Sequence, residues 1–231
     1  MLNVSGLTAA YGQVTAIRDI SLAVDAGGIL AVIGANGAGK STLLKTIAGL
    51  LPATSGTIFF DGDDITRRSA FDRVRRGIAL VPEGRRLFPS LTVQENLQTA
   101  FASKRKGAWT LDAVYDLFPL VAERRHRRAG NLSGGEQQAT AIARALVTNP
   151  KLLLLDEVSL GLAPAIIADL YARLPDILAQ GTGILLVEQD VSQAMKVADS
   201  VHCLLQGATS LTGKNLTMAD ISGAYFGVDK K

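Results

Sequence analysis

The sequence predicts an α/β fold, a parallel sheet covered by helices on both faces and interrupted by a helix-rich lobe. Three observations predict it. After residue 150, apolar runs of strand length alternate with helical patterns. Near residue 34 a glycine-rich turn joins a β run to a helix. Between about residues 84 and 148 the pattern is mostly helical.

The first sixty residues are strand-rich. Candidate strands cover residues 2–7, 20–24, 29–33 and 57–60, the last followed by an Asp61-Gly62 turn. The pattern is helical from Lys40 to Ala48, and Gly49 stands where a terminator belongs. In the helical stretch, Thr92-Val93-Gln94-Glu95 forms a capping box, as does Ser133-Gly134-Gly135-Glu136. Ala139, Ile142, Ala143, Leu146 and Val147 then recur at helical spacing, with Pro150 beyond the stop. A strand at 152–155, a helix at 166–178, a strand at 184–187 and a helix at 191–198 complete the alternation. The chain therefore reads as one domain. Residues 1–84 and 149–231 form the core, and about 85–148 form an inserted helical subdomain.

At 231 residues, 48% hydrophobic and 19% charged, the chain can bury a sizeable core. No apolar run approaches the roughly 18 residues of a membrane span. Met1-Leu2-Asn3-Val4-Ser5 predicts no export signal. The single cysteine, Cys203, excludes an internal disulfide, fits a reducing cytoplasm and lies in an apolar run that predicts a buried thiol. A net charge of +3 requires no nucleic-acid partner. Arginines cluster at 73, 75 and 76, at 85 and 86, and at 124, 125, 127 and 128. They read as solvated helix faces, with docking to protein or lipid headgroups as the alternative. His126 and His202 lack metal-ligand company and read as structural, Trp109 has no assigned role, and no nucleophilic triad is visible.

Gly34-Ala35-Asn36-Gly37-Ala38-Gly39-Lys40-Ser41-Thr42 matches the phosphate-binding pattern of Gly, four residues, Gly-Lys-Ser/Thr, in the strand-to-helix context that pattern requires. Glycines let the backbone approach a nucleotide and turn N–H groups inward, and the helix N-terminus favours negative charge. Lys40 can reach the β- and γ-phosphates of ATP, and the Ser41 hydroxyl can hold Mg²⁺. Leu152-Leu153-Leu154-Leu155-Asp156-Glu157 sets two carboxylates at the end of a strand too apolar to be exposed. Ligands of open α/β sheets bind at that end. Asp156 is placed to hold Mg²⁺, and Glu157 can polarise an attacking water as general base.

Leu132-Ser133-Gly134-Gly135-Glu136-Gln137-Gln138 resembles the signature motif of ABC (ATP-binding cassette) ATPases. Its place, about 95 residues after the P-loop and about 20 before the Asp-Glu strand, resembles that family's order. The resemblance covers essentially the whole chain. It implies a P-loop NTPase (RecA-like) core with an N-terminal antiparallel β subdomain and an inserted α-helical subdomain. It also implies that Ser133, Gly134, Gly135 and Glu136 meet the ATP held by a second cassette. Tyr11 stands where the family stacks an aromatic on adenine, beside Val14 and Ala16, its alternative being a core tyrosine. Ser159-Leu160-Gly161-Leu162-Ala163-Pro164 resembles the D-loop at the dimer seam.

Three positions depart from the family. Glu83 replaces the usual Gln of the loop that senses Mg²⁺ and the transmembrane partner; a carboxylate can still ligate the ion or orient water. Gln189 replaces the usual switch His; it can donate an amide N–H to the γ-phosphate but carries no charge. Val158 replaces a common Pro. Val81-Pro82-Glu83-Gly84-Arg85-Arg86-Leu87-Phe88-Pro89, the 159–164 string, Val187-Glu188-Gln189 and the ending Ala224-Tyr225-Phe226-Gly227 together resemble an ATPase subunit of branched-chain amino acid (Liv-type) importers. That resemblance implies a peripheral subunit on the cytoplasmic face of a bacterial or archaeal inner membrane. Its partners would be a second cassette, identical or not, transmembrane permease subunits and, indirectly, a solute-binding protein. Arg85, Arg86 and Leu87-Phe88-Pro89 would sit where a permease docks. Alternatives are a urea, amide or aromatic-acid importer, a soluble single-cassette ATPase, and a regulatory module without useful hydrolysis.

Overall fold

The chain begins in sheet. In the computed structural model, which describes residues 1–226, β1 (Leu2–Tyr11) and β2 (Val14–Val24) form a hairpin. β3 (Ile29–Ile33) runs into α1 (Lys40–Ile47). β4 (Ser55–Phe60) and β5 (Asp63–Asp64) follow, joined through Asp61 and Gly62, both in the left-handed region. The four strands β2-β1-β4-β5 make an antiparallel sheet.

Next come α2 (Ala70–Arg76), β6 (Ile78–Val81), α3 (Val93–Gln98), α4 (Leu111–Leu117), α5 (Pro119–Glu123) and α6 (Gly134–Leu146). Both capping boxes form, at Thr92 and Ser133. β7 (Leu152–Asp156), α7 (Pro164–Ala172), α8 (Leu174–Ala179), β8 (Gly183–Glu188), α9 (Val191–Met195), β9 (Ser200–Leu205), β10 (Ala208–Gly213) and α10 (Met218–Phe226) complete the chain. Gly227 of the ending quoted above lies outside the described residues.

The second sheet has the order β10-β9-β3-β8-β7-β6, parallel except for the β9–β10 edge. Leucine runs in β7 and β8 are buried on both faces because the pleat sends neighbours to opposite sides. Leu152, Leu154 and Leu185 pack with Leu43, Leu44 and Ile47 of α1 and with the antiparallel sheet. Leu153, Leu155, Ile184 and Leu186 pack with α6 and the helical lobe. Each such leucine contributes roughly 1.5–3 kcal/mol. Trp109 belongs to this lobe core, its backbone held on both sides by the Asn149 amide.

Several expectations need correction. The expected helix 166–178 is two helices, because Pro175 withholds an N–H and restarts the chain as α8. The helix expected to 198 ends at Met195. β6 is too short, and α2 too poor in apolar residues, to have stood out. Arg73 is no solvated residue. Its guanidinium is buried and donates to Thr46, Ile47, Thr66 and Arg68 carbonyls, at 2.8–3.1 Å. It thereby closes the carbonyl end of α1 and ties it to the antiparallel sheet. Arg75 lies over the Phe71 ring and Arg76 pairs with Asp63. Cys203 is buried as expected. Among the described residues, no helix is long and apolar enough to cross a membrane.

Arg73→Ala takes the side-chain donor from the Ile47, Thr66 and Arg68 carbonyls, Thr46 keeping the Gly49 N–H, and is expected to cost about 3 kcal/mol in urea unfolding, with a smaller loss in Arg73→Lys. His202 supplies a pH test. It is buried in β9 with Nε2 2.9 Å from Thr209 Oγ1, and burial lowers its pKa to about 4 from 6.5. The unfolded chain therefore takes up a proton that the folded chain resists. The stability contribution is complete above pH 6.5 and is lost as pH falls toward 4, by roughly 3 kcal/mol. Unfolding midpoints at pH 7 and pH 4.5 should drop less in His202→Gln than in the parent.

Candidate active site

Three neighbouring parallel strands deliver the expected chemistry to one edge. β3, β8 and β7 lie side by side, with Ile33 level with Glu188 and Asp156 level with Val187. The P-loop therefore leaves its strand beside the segment carrying Gln189 and one strand from Asp156-Glu157.

The P-loop geometry follows from its glycines. A Cβ at Gly34 would lie 2.5 Å from the Leu204 carbonyl oxygen. Gly39 adopts φ 101° beneath β2, where a Cβ would meet Ile17 at 2.6 Å. These approaches press the loop onto its strands and free the turn above. Lys40, 4% exposed, donates to the Gly34 and Ala35 carbonyls at 2.8 and 3.2 Å and pairs with Glu157 Oε1 at 3.1 Å. Ser41 Oγ donates to Asp156 Oδ1 at 2.9 Å.

Asp156 is buried, and desolvation, with the nearby Glu157 and Glu83 charges, holds its carboxyl above the usual range against the Ser41 hydrogen bond. The Ser41 hydroxyl on the buried Asp156 carboxylate makes a pair of hard oxygen donors, which fits an Mg²⁺ that takes its remaining ligands from phosphate and water. Glu157 itself has φ 48°, left-handed and uncommon for a non-glycine residue. That bend turns its side chain back toward Lys40.

A cleft of about 730 Å³ opens over Lys40, Ser41 and Glu157, while Asp156 lines the groove on its other side. Asn36, Gly37, Gly39, Lys40, Ser41, Thr42, Glu83, Glu157 and Gln189 line it, with Val14 and Ala16 at one end. Tyr11 does not line it. The ring is 49% exposed at the hairpin end beside Val14, so the core-tyrosine alternative fails. Sequence reasoning missed Thr15 and Gln206 and gave Leu160 to the dimer seam alone; all three line the cleft. Gln206 was detectable only as the residue before Gly207. That glycine packs where a Cβ would meet the Ala16 carbonyl at 2.6 Å, and it accepts from Arg18 N–H and donates to Ala38 O.

The signature turn lies on another surface. Ser133 is exposed, its hydroxyl oxygen accepts from Glu136 N–H at 3.3 Å, and its O–H is turned to the Glu136 carboxylate. Glu136 is fully engaged within the chain, accepting from Ser133 N–H and from Arg124 Nε, each at 2.7 Å. Those bonds hold its carboxyl below the usual range. Glu136 thus shapes the turn, and Arg124 is a partner of the cap, not a solvated bystander. Arg85 lies against Gly134, where a Cβ would come within 3.3 Å of Nη2, while Arg86 lines a separate groove.

The comparisons agree on family. The "ABC transporter" family model matches residues 17–159. The chain is 44% identical to the high-affinity branched-chain amino acid transport ATP-binding protein BraG of Pseudomonas aeruginosa, over 98% of this chain and 100% of that protein. It is 39% identical to a probable branched-chain amino acid transport ATP-binding protein, LivF, of Archaeoglobus fulgidus, over 92% of each. A nucleotide-free cassette from an ABC transporter superposes with TM-score 0.84 at 25% identity, covering 97% of this chain and 94% of that one. A dimeric post-hydrolysis cassette bound to ADP and Pi gives 0.83 at 25% identity, covering 94% and 100%. With the P-loop, the Asp-Glu strand and the capped signature helix in one α/β frame, the chain belongs to the ABC transporter family as an ATP-hydrolysing cassette.

Proposed function

We propose that this cassette powers import of branched-chain or other hydrophobic amino acids, as one of two cassettes beneath transmembrane permeases. The relatives above support the cargo class. One observation carries the coupling: Glu83 lines both the nucleotide cleft and a neighbouring groove of about 500 Å³. Leu50, Ala70, Val74, Leu80 and Pro82 make that groove apolar, and Arg86 and Arg144 edge it. Leu50 is exposed in it, and Phe88 in the adjoining groove. An apolar groove with basic edges suits an amphipathic helix of a permease. The arginine pair is therefore divided between two tasks, Arg85 toward the signature turn and Arg86 toward the partner.

In this reading the P-loop N–H groups and Lys40 hold the β- and γ-phosphates of ATP. Ser41 and Asp156 hold Mg²⁺, with Glu83 near enough to join or to orient water. The bound ion supplies charge neutralisation across the phosphates. Phosphate oxygens draw the Lys40 ammonium from Glu157, whose carboxylate then polarises the attacking water. Gln189 donates its amide to the γ-phosphate. Val14 and Ala16 receive the adenine at the end of the cleft, with the exposed Tyr11 ring beside Val14 left to stack on it from outside. Ser133 and Gly135 close on the ATP of the second cassette, so only a triphosphate bridges both subunits and its affinity for the closed form drives closure.

Two substitutions test the scheme. Glu157→Gln is expected to reduce turnover at least about a hundredfold while ATP still assembles a dimer on size exclusion; turnover at the parent rate would remove Glu157 from its role. Lys40→Ala should raise the MgATP dissociation constant at least about tenfold in an equilibrium titration. Equal affinity there would count against the P-loop assignment. Recovery of the chain only as a free protein, never with membrane permeases, would exclude the transport reading.

A further inference from the structure

Glu188 ends β8, one residue before Gln189, and is 1% exposed. Three donors from the loop after β7 and from α7 converge on its carboxylate, beside the backbone N–H of Gln189. Oε1 accepts from Tyr171 O–H at 2.7 Å and from Ser159 N–H at 3.2 Å, and Oε2 accepts from Ser159 Oγ at 2.6 Å. Among the described residues these bonds, not an ion pair, meet the group, and burial holds its carboxyl above the ordinary range. A buried carboxylate is costly unless its acceptor sites are filled. Three donors aimed at one such group form a specific joint, not ordinary packing.

The joint fastens the loop that carries Glu157. Glu157 N–H donates to the Val187 carbonyl at 3.0 Å, and Ser159, two residues on, binds the next residue of the same strand, Glu188. The loop is thus held to the end of β8 at successive positions, across a bend that Glu157 makes at φ 48°. Left-handed backbone at a non-glycine residue persists only where its surroundings over-determine it. Tyr171 brings α7 into the joint. The same helix presses Ile166 against the signature turn, where a Cβ at Gly135 would lie 2.8 Å from Ile166 Cγ2.

We propose that Glu188 is a positioning residue for hydrolysis: through Ser159 it sets the Glu157 carboxylate relative to Gln189, and through Tyr171 it ties both to the helix behind the Ser133–Gly135 turn. Each chain then holds a rigid link from the site where it hydrolyses its own ATP to the turn it offers to its partner's ATP. The inference rests on Glu157 as the group that polarises water.

The test uses the membrane complex that copurifies with the full-length chain, assayed for MgATP hydrolysis. The variants are Ser159→Ala, Tyr171→Phe, Glu188→Ala and Glu188→Gln, with Glu157→Gln as control. Tyr171→Phe and Glu188→Ala are expected to lower kcat about tenfold. MgATP affinity of the purified chain and its unfolding temperature should stay close to the parent's in Tyr171→Phe. Glu188→Gln keeps an acceptor for Tyr171 and for Ser159 N–H, and its amide can donate to Ser159 Oγ, so it should turn over several-fold faster than Glu188→Ala. Should Glu188→Ala fail to fold, Tyr171→Phe and Ser159→Ala carry the test. Parent rates in both overturn the clamp. So does a fall in kcat matched by falls in ATP affinity and unfolding temperature, which marks a merely structural role. Turnover surviving in Glu157→Gln removes the reading beneath the clamp, and the clamp with it. Loss of turnover there beside a parent rate in Tyr171→Phe overturns the clamp alone.

Discussion

A single buried ammonium organises the functional edge of this protein. Lys40 begins α1, yet its amine reaches back to the carbonyls of Gly34 and Ala35 and across to Glu157. Lysine is almost never fully buried without such partners. The contact therefore joins the end of β3 to the end of β7, two strands that do not touch because β8 runs between them. With Ser41 bonded to Asp156, the P-loop helix is fastened twice to the Asp-Glu strand. The residues proposed to act on ATP are placed relative to that double fastening.

The charge inventory follows from it. Asp156, Glu157 and Glu83 converge on a region where Lys40 is the buried cation and Lys45 stands near Asp156. Gln189 contributes hydrogen-bonding capacity but no charge. A triphosphate alone would add negative charge to a site already crowded with it, which is why the proposed scheme pairs the nucleotide with a divalent cation. Glu83 in place of an amide makes the requirement stronger. The same carboxylate faces the groove, so whatever changes its position there also changes the electrostatics of the cleft.

What the sequence disclosed and what it withheld divide along a physical line. The P-loop, both capping boxes and the twice-buried strands β3, β7 and β8 were legible, because local backbone geometry or burial on two faces dictates residue type. β6 was hidden by its four-residue length between an arginine-rich helix and Pro82. The break between α7 and α8 could have been read from Pro175. Arg73, Arg124 and Glu188 were not readable at all. A charged residue looks solvated in sequence unless its partner is known, and their partners lie at carbonyls, a cap and a tyrosine fixed only by tertiary packing.

Those three residues share a design. Each uses a formal charge to fasten a segment that carries no regular structure of its own: Arg73 the loop before α2, Arg124 the turn before α6, Glu188 the loop after β7. A cassette must hold its phosphate-facing turns rigid while leaving their N–H groups and hydroxyls free for ligand. Apolar packing would hold the turns but would also cover them. Charges satisfied from behind, buried at Arg73 and Glu188 and half-buried at Arg124, leave the other side of the turn bare, at the cost of desolvation. On this argument the polar groups buried outside the nucleotide cleft are as much a part of the catalytic apparatus as the residues that meet ATP.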